Sequence, residues 1–175
     1  MRSDRSKWLV VVALAVALGW LSTRGTGGPS FMRLPVGPMP APAWTMPDLD
    51  GRAVASTNFA GKVVLLNFWA TWCPPCVQEL PELAQFQREF RAQGWQVLGL
   101  AVDSPTPVRE FLKKLPLDFD IGMAGLTGTE LTRKLGNTQG GLPFSVAFGA
   151  DGEVIWRKLG STNLEELREL AKGLA

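Results

Sequence analysis

Val63-Val-Leu-Leu-Asn67-Phe-Trp69-Ala-Thr-Trp72-Cys73-Pro74-Pro75-Cys76-Val-Gln-Glu79-Leu-Pro81 is the stretch on which the reading of this chain turns. Its first seven residues are apolar except for Asn67, the pattern of a strand buried on both faces. From Pro75 to about Gln93 the apolar residues Leu80, Leu83, Phe86 and Phe90 recur at helical spacing, and Gly94 stands where a helix would end. Both cysteines therefore lie where a buried strand hands over to a helix. The first turn of a helix has backbone N–H groups without intrahelical partners and the positive end of the helix dipole. Both favour a thiolate over a thiol, so Cys73 is the expected nucleophile. Cys76, one turn on and on the same face, can resolve a mixed disulfide formed on Cys73. Pro74 and Pro75 cost the helix nothing, because the N–H groups they lack had no partner there.

The rest of the chain narrows the choice. It has 2 cysteines and 0 histidines, so there is no separate structural disulfide and no Ser-His or Cys-His nucleophile scheme. A zinc or copper site would need two more soft or imidazole ligands, and none remain. Haem attachment needs a histidine after the second cysteine, where Val77 stands. A purely structural bridge between Cys73 and Cys76 would close a tiny loop and constrain little of the unfolded chain. Redox exchange is the favoured use of the pair, with no cofactor and no metal. Net charge is +2 overall, but five of the 18 basic residues precede Pro40, and the remainder carries no basic surface suited to nucleic acid.

Working outward, Arg2, Arg5 and Lys7 precede an apolar run from Trp8 to Leu21 with tryptophans near both ends. Residues 1–23 read as an uncleaved single membrane anchor helix, N-terminus inside and the rest outside the cytoplasm, with a cleaved export signal as the alternative. Residues 24–41 are a Pro/Gly-rich linker of extended character. The folded domain is expected over 42–175, opening with a β-hairpin about Asp48-Leu49-Asp50-Gly51. Further strands are expected over Gln96–Val102, Phe144–Phe148 and Val154–Arg157. A short helix is expected over Pro107–Leu115 with Thr106 as N-cap, and another over Thr129–Leu135 after an irregular strand. Thr162-Asn-Leu-Glu165 reads as a capping box opening a last helix to Lys172. The sum is an α/β sandwich on a central mixed sheet.

Asn67-Phe-Trp-Ala-Thr-Trp-Cys-Pro-Pro-Cys-Val-Gln-Glu-Leu-Pro81, the preceding hairpin and Gly141-Leu142-Pro143 before a strand together resemble the membrane-anchored thioredoxin-like proteins of the TlpA/ResA type, over roughly residues 42–172. The resemblance implies a thioredoxin-like fold and thiol–disulfide exchange with partner-protein cysteines. By it, Pro143 is the family's cis-proline, lying against the cysteine pair with Leu142 beside it and seating the partner's backbone. Pro81 is the proline inside the active-site helix, and Trp72 shapes the surface at the cysteines; Trp69 reads as core. Thioredoxin carries a buried aspartate where this chain has Asn67, so the proton of Cys76 needs another base, and Glu79 matches a glutamate that the family places near the pair. The resemblance also implies the reducing direction, toward apo-cytochrome c or the cysteines of a copper site, with electrons from a membrane thiol transporter of the CcdA type. Disulfide donation is the first rival. A thioredoxin-fold peroxidase would need a different lead-in to its cysteine, and a copper chaperone would want a distant histidine.

Overall fold

A computed structural model describes residues 40–173. The expected anchor and linker lie outside the described residues, apart from Pro40 and Ala41. Strands β1 (Thr45–Pro47) and β2 (Ala53–Ala55) pair antiparallel. Their turn is fastened by the Asp48 carboxylate, which accepts from the backbone N–H of Asp50 and Arg52. Then come β3 (Val63–Trp69), α1 (Pro74–Phe90), β4 (Trp95–Ala101), α2 (Pro105–Lys114), β5 (Asp120–Met123), α3 (Thr127–Lys134), β6 (Phe144–Phe148), β7 (Val154–Leu159) and α4 (Leu164–Lys172).

The main sheet has the order β5-β4-β3-β6-β7. β3, β4 and β5 run parallel, whereas β6 and β7 are antiparallel to their neighbours, so the sheet is mixed as expected. β3 is central because every one of its residues after Val63 is buried, and only a strand covered on both faces can bear such a run. Leu65 and Trp69 face one core with Leu80, Leu83 and Phe86 of α1 and Leu167 of α4. Val64, Leu66 and Phe68 face the other, with Leu131 and Leu135. Trp69 is wholly buried, in keeping with its reading as core.

Several element ends differ from the sequence reading. α1 starts one residue early, at Pro74, and its last turn, Arg91–Gln93, is a 3-10 turn closed by Gly94 at φ 90°. That backbone conformation is cheap for glycine alone, which explains the stop. α2 begins at Pro105 rather than Pro107, so Thr106 lies inside the first turn and is not its N-cap; the cap position is Ser104, whose side chain makes no capping bond. α3 begins at Thr127, two residues early. The capping box at Thr162 is a further correction. Asn163 caps α4 through a bond from Glu166 N–H, and Thr162 turns inward.

Candidate active site

Antiparallel β6 and parallel β4 flank β3 on opposite sides, so the chain's path divides at the carboxyl end of β3, the place where open α/β sheets leave a crevice for ligands. Cys73 sits there as the N-cap of α1 in extended conformation, and Cys76 lies in the first turn. The two are joined in a disulfide with Cα atoms 5.3 Å apart. Cys76 N–H donates to Cys73 Sγ at 3.3 Å, as a free N–H of a helix start should. Cys76 is wholly buried and Cys73 slightly accessible. Pro74 and Pro75 occupy the first two helical positions and are exposed. The loop before the cysteines is held by Asp103, just after β4: Thr71 donates to its Oδ2 from both backbone N (3.0 Å) and Oγ1 (2.6 Å).

Behind the pair, Glu79 is 2% exposed. Its Oε1 accepts from Asn67 Nδ2 at 2.7 Å. Its Oε2 accepts from Thr162 N at 2.7 Å and Thr162 Oγ1 at 3.2 Å. Burial pushes the carboxyl up from the usual 4.5 to about 7, and the bonds from Thr162 N–H, Asn67 and the Thr162 hydroxyl, with the charge of Lys158, pull it back only in part. Asn67 Nδ2 also donates to Ser145 Oγ at 3.0 Å, and its buried Oδ1 has no hydrogen-bond partner.

The Leu142–Pro143 peptide bond is cis, and Pro143 is buried immediately before β6, whose Phe144 pairs with Phe68 of β3. This register sets Pro143 beside the carboxyl end of β3. Leu142 and Trp72 share the wall of a groove of about 640 Å3 with Val102 and Leu126. Trp72 and Leu126 are the large apolar side chains most open to solvent among the described residues, at 66% and 91% exposed. Among the described residues no cluster of three or more His, Cys, Asp or Glu is placed to hold a metal.

The structure thus brings Cys73, Cys76 and Glu79 onto one helix start, with Pro143, Leu142 and Trp72 around the same end of the sheet. Sequence reasoning missed Thr162, Ser145 and Asp103. Thr162 was absorbed by a plausible capping pattern, and the other two carry no local signal, since their partners lie 78 and 32 residues away.

The model of the family described as Redoxin matches residues 38–174. The chain belongs to the redoxin family. Within it, this redoxin is 32% identical to the thiol-disulfide oxidoreductase ResA of Bacillus thuringiensis subsp. konkukian over 133 residues, 75% of each chain. It is 34% identical to ResA of Bacillus subtilis over 82 residues, 46% of each. Among solved structures, the thiol:disulfide interchange protein of Chlorobium tepidum TLS covers 80% of this chain and 98% of its own, at 27% identity and TM-score 0.69. This redoxin is a TlpA/ResA-type thioredoxin-like oxidoreductase that acts on thiols and disulfides.

Proposed function

We propose that the oxidoreductase works through Cys73 and Cys76, in the reducing direction, on partner proteins outside the cytoplasm. The observation that carries the use of these two cysteines is the disulfide pair at the start of α1, its outer cysteine the more accessible, with a buried carboxyl one turn behind it; the reducing direction follows the resemblance to the TlpA/ResA type. In the reduced enzyme the Cys73 thiolate attacks one sulfur of a partner disulfide. A bond forms from Cys73 Sγ to that sulfur, and the other partner sulfur leaves as a thiolate. Cys76, giving its proton to Glu79, then attacks Cys73 Sγ, breaks its bond to the partner sulfur it had attacked, releases that sulfur as a thiolate and closes the Cys73–Cys76 disulfide. Two electrons pass to the partner, and the proton on Glu79 is available to a departing thiolate. The groove between Trp72 and Leu126, which Leu142 also lines, offers apolar surface for the polypeptide around the partner's cysteine, and Pro143, Pro74 and Pro75 are the residues proposed to position that partner at the cysteine pair. The basic N-terminal flank and apolar run support anchorage in the cell membrane with the domain on the outer or periplasmic face. Apo-cytochrome c or a copper-site protein is the proposed substrate, and a CcdA-type transporter the proposed electron donor.

The test is mixed-disulfide capture with single cysteine variants, together with the reduction potential measured against glutathione. Cys73→Ser should abolish exchange, and Cys76→Ser should accumulate adducts with partners. Equal trapping by both variants would sink the role assignment. A potential nearer thioredoxin's about −270 mV fits a reductant, and one nearer DsbA's about −120 mV would assign disulfide donation instead.

A further inference from the structure

On the sheet face covered by α1 and α4, one line of side chains is polar where its neighbours are not. Asn67 of β3 pairs in register with Ser145 of β6, and Ser145 with Lys158 of β7. Two places along the same strands and on the same face stand Leu65, Trp69, Ala147 and Trp156, all in the apolar core. Side chains directly opposite on adjoining strands have Cβ atoms only about 5 Å apart, so the three form a continuous row. Its members are 0%, 0% and 2% exposed. Glu79 hangs from α1 over the Asn67 end of the row. At the other end Lys158 is ion-paired to Glu166, in the first turn of α4, whose side chain is 21% accessible. A buried lysine is costly, so its place in a row that leads to a buried glutamate calls for a reason.

We propose that Lys158, at the far end of this buried row, tunes proton release from Glu79 against the larger effect of burial, with Glu166 as the counter-charge that limits it. The physical basis is a positive charge deep in the protein, acting on a nearby buried carboxyl with little screening by salt or solvent. Its pull opposes the burial of Glu79 and favours the ionised form that can take a proton from Cys76. The other groups facing Glu79 are few. α1 contributes Cys76 and Glu82, and Glu82 is engaged by Leu164 N–H at the start of α4. β3 and β6 contribute only the neutral Asn67 and Ser145. The approach to α4 contributes the neutral Thr162. Arg157, next to Lys158, alternates to the opposite sheet face and donates to Leu135 O. Lys158 is a tuning residue, not a catalytic one, and its role rests on the reading of Glu79 as the proton acceptor.

The experiment reads the Glu79 midpoint directly, by carboxyl 13C NMR on the oxidised full chain, in which no thiol titrates beside it. The pH profile of disulfide exchange is measured alongside. Lys158→Met should raise the midpoint by roughly half a pH unit or more, and Glu166→Gln should lower it. Lys158→Arg should hold it within a few tenths, on the order of the spread among equivalent charges. A merely structural role would not move the midpoint in opposite directions, so movement in one direction for both, or none, overturns the proposal. If Lys158→Met does not fold, Glu166→Gln, at a partly accessible site, still decides the sign. Midpoints that shift as expected while the exchange profile stays fixed would uphold the charge assignment and remove Glu79 from the exchange reaction.

Discussion

At the scale of the residue, Glu79 carries the most unusual chemistry in the domain. A carboxyl held at about 7 instead of 4.5 keeps its proton in the fold over a range where the unfolded chain has lost it. Its contribution to stability is complete below pH 4.5, falls as pH rises, and is gone above about 7. At about 1.4 kcal/mol per unit that interval corresponds to roughly 3 kcal/mol. Urea unfolding of the oxidised chain should therefore lose stability between pH 4.5 and 7, and Glu79→Gln should remove that slope. The same variant should slow exchange by roughly ten- to a thousandfold near neutrality, followed by stopped flow across the pH range. Overlaid wild-type and variant profiles would leave Glu79 as a buried structural acid. This residue was singled out by the resemblance to the TlpA/ResA type, with which its i+3 spacing from Cys76, placing both on one helix face, agrees. Its donor Thr162 was not, since the two are 83 residues apart and meet only when α4 packs on α1.

At the scale of the element, α1 organises its surroundings through two glutamates one turn apart. Glu79 accepts from Thr162 and Glu82 from Leu164 N–H, so both hold the chain as it enters α4. This explains why Thr162 does not cap. The buried carboxylate is a stronger partner for its hydroxyl and N–H than a helix start that Asn163 already serves. Asn163→Ala should cost about 1 kcal/mol in chemical unfolding. Thr106→Ala, at an exposed site inside the first turn of α2, should change stability by less than about 0.5 kcal/mol. A large loss at Thr106 would show that the side chain supports α2 in a way the geometry lacks. α1 itself tolerates Pro81, an exposed interior proline that forgoes one backbone bond.

At the scale of the whole molecule, the redox pair, the buried carboxyl and the apolar groove gather at one end of a sheet whose central strand is covered on both faces. No helix among the described residues is long and apolar enough to cross a membrane. The apolar run beginning at Trp8 is the proposed attachment. We expect the full-length protein to sediment with membranes and to resist extraction by high salt, because insertion of an apolar helix, unlike ionic adhesion, is not screened. Release as a soluble form beginning near Gly28 would favour the cleaved signal.

The sequence by itself determined the handover from buried strand to active helix, the cysteine pair in its first turn and the absence of histidine chemistry. Those are local facts: hydrophobic period, i, i+3 spacing and composition act over a few residues and need no knowledge of packing. The tertiary structure alone decided which polar groups meet the buried glutamate, that neither Thr106 nor Thr162 caps its helix, and that Asn67, Ser145 and Lys158 stand in one row. Strand register and the packing of α4 on α1 make those contacts, and both arise from burying apolar surface across the whole domain, a sum that no short stretch of the chain contains.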